Sequence, residues 1–154
     1  VRSQLPDVAW RTTFIVGFPT ETDQDFEELV DFVSEGHFQH LGIFLYSDED
    51  NIRSSKFGDP IPLSLKEERK NRLMEIQQKI SREHHQKMVG SLQQVLVGGF
   101  SSETDLLLEG RNQYQGPEVD GVVYINEGNA TSAGFHQVEI TEAHEYDLVG
   151  KILN

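Results

Sequence analysis

Residues 11–26 read RTTFIVGFPTETDQDF, and this stretch decides the fold of the first part of the chain. Its opening, residues 11–17, is rich in β-branched and aromatic residues and nearly continuously apolar. That pattern is typical of a strand covered on both faces in a parallel sheet. The polar run from Thr22 to Asp25 then predicts a helix N-terminus, because Thr is a good cap and acidic residues suit the first turn.

The sequence that follows completes a strand, helix and strand. Apolar residues recur at helical spacing from Phe26 to Val33, and they predict a helix that ends near Gly36. Residues 41–46, LGIFLY, predict a second strand. This order predicts a βαβ crossover with parallel strands. Because two strands alone do not form a stable parallel sheet, we expect this unit to pack on further protein.

A long helix is predicted after a polar loop that is broken by Gly58, Pro60 and Pro62. Residues 64–67, SLKE, resemble a capping box, and one helical face then stays apolar to about Gly90. Charged residues between the apolar positions are expected on the solvated face. They include Glu67, Glu68, Arg69 and Lys70.

Beyond Gly90, short β-rich segments separated by turn signals predict five strands in a small antiparallel barrel or sandwich. These segments are 93–97, 104–108, 121–125, 136–140 and 146–153. The predicted domains are therefore 1–64, 65–89 and 90–154, with the middle range forming the connecting helix.

Acidity is concentrated in the β-rich part. The 154 residues have a formal net charge of −13. Residues 90–154 contribute −8, with ten acids against the bases Arg111 and Lys151. Binding to a phosphate backbone needs clustered Lys and Arg, so this composition disfavours RNA and favours a basic partner.

Further classes of protein are excluded by composition. The chain has no cysteine, which excludes disulfides, thiolate zinc sites, a cysteine nucleophile and a Cys-ligated iron–sulfur cluster held by this chain. No run approaches the ~18 apolar residues of a membrane span, and no signal region is evident. We therefore expect no membrane partner and a cytoplasmic location. The start on Val1, without an initiator Met, indicates a piece of something longer.

Three local features have open interpretations. Residues 17–22 lie where ligands bind in parallel α/β folds, although a tight turn with a helix cap is the alternative. His84 and His85 point about 100° apart on a helix, so they cannot both ligate one ion, and a surface or interface role is expected. Arg111, close to Tyr114, is either a specific contact or part of an internal ion pair.

Residues 11–26 resemble the strand and turn late in the radical S-adenosylmethionine barrel of methylthiotransferases, where the turn usually reads Gly-Phe-Pro-Gly-Glu-Thr. Residues 45–47 (LYS) are similar to the family's next strand, and residues 72–81 (RLMEIQQKIS) to its closing helix. Residues 110–114 (GRNQY) and 116–125 (GPEVDGVVYI) resemble a TRAM domain, an OB-like barrel. The second of these segments is closest to the branch that modifies an aspartate of a small-subunit ribosomal protein.

The resemblance implies an α/β plus all-β fold: the last strands and helices of a TIM-like radical barrel, then a five-stranded antiparallel TRAM barrel. It implies S-adenosylmethionine and two 4Fe-4S clusters in the intact enzyme. A 5′-deoxyadenosyl radical there abstracts hydrogen from an unactivated carbon, where a methylthio group is installed. The cluster ligands would belong to a missing N-terminal part of the same enzyme, and the present chain alone is predicted to be inactive.

The resemblance also implies site residues, none of them a catalytic acid or base and none a metal ligand. The predicted cofactor-binding residues are Gly17, Phe18, Pro19, Glu21, Tyr46 and Ser47. The predicted substrate-binding residues are Arg111, Tyr114, Glu118 and Asp120. Two positions depart from the family pattern: Thr20 replaces the customary Gly, and residues 48–53 (DEDNIR) stand where the family often has a Gly-Thr pair.

The implied partner is a basic small-subunit ribosomal protein, recognised by the acidic TRAM domain, with no direct RNA binding expected. One alternative is a transfer-RNA methylthiotransferase whose TRAM domain binds RNA, which the lack of basic residues in 90–154 disfavours. The other is a non-enzymatic acidic OB-like adaptor, for which residues 90–154 would need to be stable alone.

Overall fold

The computed structural model describes residues 4, 8–49, 53–129 and 133–153. The described residues divide into two compact units. The first unit is residues 9–80, and the second combines residues 4 and 8 with the described residues from 81 onward. Within the described ranges, no helix combines the length and the apolar character that crossing a membrane requires.

The first unit contains a βαβ crossover, as predicted. Strand β1 (Arg11–Val16) leads into helix α1 (Asp23–Ser34) and strand β2 (His40–Leu45). The two strands are parallel, with Phe14 opposite Ile43. A short 3₁₀ helix (Arg53–Phe57) precedes the long helix α2 (Leu63–Gln86), which continues into the second unit.

Helix α1 begins where its sequence predicts. The Thr22 hydroxyl accepts from the Asp25 N–H at 3.2 Å, and the Asp25 carboxylate accepts from the Thr22 N–H at 2.8 Å. This reciprocal pair satisfies two N–H groups that the helix itself leaves free. The helix is followed by Gly36 at φ +71°, a conformation that glycine adopts without steric cost.

One face of the two-stranded sheet carries the core of this unit. Its fully buried members come from both strands and both helices: Val16, Phe26, Val30, Val33, Ile43 and Leu73. On the other face, Ile15 and Phe44 lie opposite each other and are 57% and 64% exposed. The expected cover on both faces is therefore wrong within the described residues, because both helices pack on the same side.

Helix α2 differs from its prediction at both ends and at one buried residue. It ends at Gln86, before the predicted end at Gly90. The Pro62 carbonyl accepts from the N–H groups of Leu65 and Lys66, so the helix starts before Ser64 and the predicted capping box is wrong. Arg69, assigned to the solvated face, is buried. Its acidic partners, described below, make that burial possible.

The second unit contains a closed five-stranded barrel. The strands are β3 (Leu92–Phe100), β4 (Leu108–Arg111), β5 (Val123–Glu127), β6 (Gly134–Ala143) and β7 (Leu148–Ile152). They close in the order β3-β4-β5-β7-β6. The predicted barrel is confirmed, but β5 and β7 are parallel and so the fully antiparallel arrangement is wrong. A closed ring with an odd number of strands cannot alternate in direction throughout.

The predicted second strand of the barrel, 104–108, is wrong. The Thr104 hydroxyl accepts from the Leu106 N–H at 3.2 Å, and the Ser101 N–H donates to the Leu107 carbonyl at 2.8 Å. Such local hydroxyl bonds compete with a strand ladder, and they leave Leu106 89% exposed. Pairing therefore begins only at Leu108.

The barrel interior is filled by buried aliphatic side chains from β3, β5, β6 and β7, and the partly buried Leu108 of β4 packs against them. The buried side chains are Val95, Val97, Val123, Ile125, Val138, Ile140, Leu148 and Ile152. Residues that alternate with these along the strands face outward, which places the outer surface described below.

Candidate functional site

The carboxyl ends of β1 and β2 bring two predicted cofactor residues together. The Tyr46 N–H donates to the Val16 carbonyl at 2.9 Å and extends the parallel pairing by one residue. The rings of Phe18 and Tyr46 then meet edge to face with centroids 5.3 Å apart. Phe57 adds a third ring, 6.3 Å from that of Phe18. We call residues 17–21, 46 and 47 the strand-end site.

Glu21 holds the turn of the strand-end site in place. One carboxylate oxygen accepts from the Gly17 N–H at 2.9 Å, and the other accepts from Arg69 at 2.5 Å. The Glu21 N–H donates to the Phe18 carbonyl at 2.8 Å. Arg69 also contacts Asp23 at 2.7 Å. Glu21 therefore positions the turn, and both of its oxygens are occupied by groups of this chain.

Lys66 is a second buried cation at this edge of the sheet. Its Nζ donates to the Tyr46 carbonyl at 2.8 Å and pairs with Asp59. A Cβ built on Gly17 would overlap the Lys66 side chain. Gly17, at φ +78°, is therefore required both by the backbone conformation and by the space that Lys66 occupies.

Sequence reasoning missed Lys66 and misplaced Arg69. A signal was present, because both residues fall on the helical period of the fully buried Leu73, at seven and four residues before it. A cation on an apolar stripe requires an acidic partner. Here the partners are Asp59 for Lys66 and Glu21 for Arg69.

The groups that a ligand could reach at the strand-end site are few. Phe18 is 37% exposed, Ser47 is exposed and Pro19 is half-buried. The Tyr46 hydroxyl is buried and has no hydrogen-bond partner among the described residues. Thr20 is an exposed turn residue. Of the departing loop 48–53, residues 50–52 lie outside the described part of the chain.

The barrel gathers three of the four predicted substrate-binding residues. Arg111, Glu118 and Asp120 line one concavity of about 350 Å³ on its outer surface. The Asp120 carboxylate accepts from the Gly116 N–H at 2.7 Å and closes the loop between them. Glu118, exposed, has φ +63°, which is unusual for a residue with a side chain. Tyr114 is half-buried and lies outside the lining of this concavity.

Arg111 is exposed and forms no ion pair within the part of the chain that the structure describes. Of the two interpretations, the internal ion pair is therefore wrong for the residues that the structure describes. Glu109 is on the same strand and the same outward face, but side chains two residues apart are separated by about 6.4–6.8 Å along a strand. The guanidinium remains available for a contact outside the chain.

The negative potential of the barrel acts on Tyr124. Burial raises the pKa of Tyr124 above its ordinary value, and the carboxylates of Asp147, Glu103 and Glu109 raise it further. Because the phenolate of Tyr124 would lie near three carboxylates, these acids disfavour its ionisation.

His85 has a structural position. It is buried, and its Nδ1 lies 3.1 Å from the His144 carbonyl oxygen, so of the surface or interface role expected for it, the surface part is wrong. The contact ties the last turn of α2 to the barrel within the second unit. Among the described residues, no three His, Asp or Glu side chains are grouped closely enough to hold a metal ion.

Comparison with known proteins identifies a domain and a set of similar proteins. The family model of the TRAM domain matches residues 89–153. Three bacterial proteins share the name ribosomal protein uS12 methylthiotransferase RimO and resemble almost the whole chain. The protein of Desulfotalea psychrophila is 47% identical over 153 residues, which are 99% of this chain and 34% of that protein.

The protein of Anaeromyxobacter sp. (strain K) is 48% identical over 99% of this chain, which corresponds to 33% of that protein. The protein of Bdellovibrio bacteriovorus is 49% identical over 99% of this chain, which corresponds to 34% of that protein. The chain thus spans about a third of the length of the curated relatives it matches. The resemblance to a C-terminal segment of these methylthiotransferases, which the sequence predicts, is confirmed, and so is the TRAM domain.

Proposed function

We propose that this chain is part of a radical S-adenosylmethionine methylthiotransferase that adds a methylthio group to an aspartate of ribosomal protein uS12 in the cytoplasm. The observation that carries the proposal is the similarity of 47–49% over 99% of the chain to proteins of that name. A TRAM domain in the same chain supports it.

The first unit would be the last part of the radical barrel, continued by the N-terminal part of the same enzyme. Two features support this arrangement. The parallel pair β1 and β2 has unpaired outer edges among the described strands, and Ile15 and Phe44 form an exposed apolar pair on the open face. Further strands would pair with the outer edges of β1 and β2, and their side chains would cover Ile15 and Phe44. We place the domain boundaries after residues 64 and 89.

S-adenosylmethionine would lie against the strand-end site. The buried Tyr46 hydroxyl, unpartnered among the described residues, and the exposed ring of Phe18 fit contact with a small organic molecule. Phe18, Tyr46 and Ser47 would touch it, while Gly17, Pro19 and Glu21 would shape the turn beneath. When bound, the cofactor supplies the radical chemistry. The 4Fe-4S clusters do not fit this chain, which has no cysteine to ligate them.

The acidic barrel would recognise the basic protein substrate. Ten acids and two bases in residues 90–154 create a negative field that speeds encounter with a Lys- and Arg-rich surface and repels phosphate. Glu118 and Asp120 lie in one concavity, where a basic side chain could reach both. After burial, the carboxylates of Asp147, Glu103 and Glu109 also raise the pKa of Tyr124, and this second contribution supports the same sign of potential.

Activity is tested on the full-length enzyme, anaerobically reconstituted with iron and sulfide. After incubation with S-adenosylmethionine and purified uS12, mass spectrometry should find one methylthio group in place of hydrogen on an aspartate of uS12. Modification of transfer RNA instead would favour the alternative assignment, and no product on either would contradict both.

Recognition is tested separately by titrating the present chain with uS12 and with transfer RNA at low salt. We expect uS12 to bind more tightly, and Glu118→Gln and Asp120→Asn to weaken that binding several-fold. Glu127→Gln is the matched control, because Glu127 is an exposed acid of β5 outside the concavity. Tighter binding of RNA, or equal effects of all three variants, would show that this surface does not read the protein.

A further inference from the structure

A second groove crosses the outer surface of the barrel. It has a volume of about 330 Å³ and its lining includes Leu96, Arg111, Asn112, Gln115 and Phe135. Leu96 pairs with Phe135 on one side and with Arg111 on the other. Because Val95 and Val97 point into the barrel, these three partners form one outward row. The groove thus has an apolar end, with Phe135 68% exposed, and a cationic end.

Two amide side chains in the lining are fixed in orientation. The Asn112 side-chain carbonyl accepts from the Tyr114 N–H at 2.9 Å, and the Gln115 side-chain carbonyl accepts from the Asn112 N–H at 3.0 Å. Each backbone N–H can only donate, so each amide oxygen must occupy the observed position. The NH₂ group of each side chain is therefore a donor that cannot be exchanged for its oxygen.

Both NH₂ groups lack an acceptor among the described residues. Asn112 and Gln115 are only 4% and 7% exposed, and the two nitrogens are buried. A buried donor without an acceptor is unfavourable and uncommon in folded proteins. Two such donors in the lining of one groove, beside a guanidinium without an ion pair, point to a ligand that supplies oxygen acceptors.

We propose that this groove binds a peptide segment in which one carboxylate lies next to an apolar side chain. The carboxylate would meet Arg111 and, through local adjustment of the groove, the two NH₂ groups, while the apolar side chain would pack on Leu96 and Phe135. The proposal rests on the proposed function in one respect, namely that the segment belongs to the basic protein substrate. The groove thereby adds a contact between the cation Arg111 and an acidic group of the substrate, whereas Glu118 and Asp120 would contact basic groups.

Charge favours a peptide over a nucleic acid here. A strand of phosphates would carry many negative charges into the field of a module with net charge −8. A basic segment with a single carboxylate is attracted by the module as a whole, and its one acid meets the local cation. The peptide is therefore attracted by the net charge of the module and also supplies an acceptor to the donors of the groove. A phosphate chain would supply acceptors but would be repelled by the net charge.

The test uses the present chain and three fluorescent probes: a basic hexapeptide containing Leu-Glu, the same peptide with Leu-Gln, and an oligonucleotide of six nucleotides. We expect the Leu-Glu peptide to bind most tightly. Arg111→Gln should weaken it by about tenfold, about 1.4 kcal/mol, and leave the Leu-Gln peptide unaffected. Phe135→Ser should weaken both peptides. Lys151→Gln is the matched control, since Lys151 is the other base of the barrel and pairs with Glu139 at 3.2 Å.

Replacement of the buried amides could unfold the barrel, so their role is followed by NMR in the unaltered chain. The side-chain NH₂ resonances of Asn112 and Gln115 should shift on addition of the Leu-Glu peptide and less with Leu-Gln. Equal binding of the two peptides, tighter binding of the oligonucleotide, or equal effects of the Arg111 and Lys151 variants would overturn the proposal. If uS12 binding depends on Glu118 while Arg111→Gln changes nothing, the groove proposal fails and the proposed function stands.

Discussion

Arg69 donates to the carboxylate of Glu21 at 2.5 Å, although 48 residues separate them in the sequence. Their side chains are 4% and 11% exposed, so the pair is almost removed from water. Because Glu21 also accepts from the Gly17 N–H, this one contact links helix α2 to the turn after β1. The strand-end site is therefore held from beneath by a residue on another element.

Arg69→Gln should destabilise the first unit strongly. Breaking a buried pair leaves an uncompensated charge, which costs about 3–5 kcal/mol. Trp10 is the single tryptophan and lies in this unit, so its fluorescence during urea unfolding measures the effect. Arg72→Gln is the control, because Arg72 and Glu27 are about half exposed. Equal losses from the two variants would show that burial of the Arg69 pair contributes nothing.

Local rules predict much of this chain. The Thr22 cap, the apolar spacing of α1 and the Gly36 stop depend on residues within a few positions of one another, and all three are confirmed. The spacing of the short strands predicts a barrel or a sandwich, and the structure contains the barrel. What local rules missed depends on distant contacts. The burial of Arg69 depends on Glu21, and that dependence is visible only once the helix packs on the sheet.

The barrel shows the same limit. Residues 104–108 have strand-forming side chains, yet the hydroxyls of Ser101 and Thr104 bond locally and form a turn instead. The groove amides Asn112 and Gln115 were missed as well. Nothing in the run GRNQYQG distinguishes a buried amide from an exposed one, since both polar residue types are common in loops.

Gly121→Ala should destabilise the barrel. A Cβ at this position would overlap the backbone carbonyl of Tyr146, which cannot move aside as a flexible side chain could. We expect a loss of about 1–3 kcal/mol or more, measured by circular dichroism during urea unfolding. Gly98→Ala is the matched control, since its Cβ would lie 3.9 Å from the nearest atom, the Glu109 carbonyl oxygen. A neutral Gly121→Ala would mean that the 121 and 146 segments are further apart than described.

Tyr124 should titrate above the usual range of tyrosine. Burial first, and then the nearby carboxylates, raise its pKa in the folded barrel. The neutral phenol is therefore favoured by folding. Its contribution to stability is fully present below the unfolded pKa, near 10, and is lost as the pH rises through the folded pKa.

Absorbance at alkaline pH, compared with Tyr124→Phe, assigns the transition. High salt should lower this pKa partway towards 10 by screening the acids, while the share due to burial remains. A Tyr124 that titrates near 10 at low salt would contradict the described surroundings of its hydroxyl.

Glu118 allows stability and recognition to be separated at one position. Its φ of +63° costs a residue with a Cβ roughly 1–2 kcal/mol of folding free energy, and Glu118→Gly would remove that cost. The greater freedom of glycine in the unfolded chain would in turn cost about 0.5–1 kcal/mol. We therefore expect Glu118→Gly to be as stable as the original chain or up to about 1.5 kcal/mol more stable. Glu118→Gln keeps the strain and loses only the charge, so its stability should not change.

Both variants should weaken uS12 binding alike if the partner recognises the carboxylate of Glu118. Weaker binding by Glu118→Gly than by Glu118→Gln would instead assign the effect to the fixed shape of the loop, and unchanged binding by both would remove Glu118 from the recognition surface.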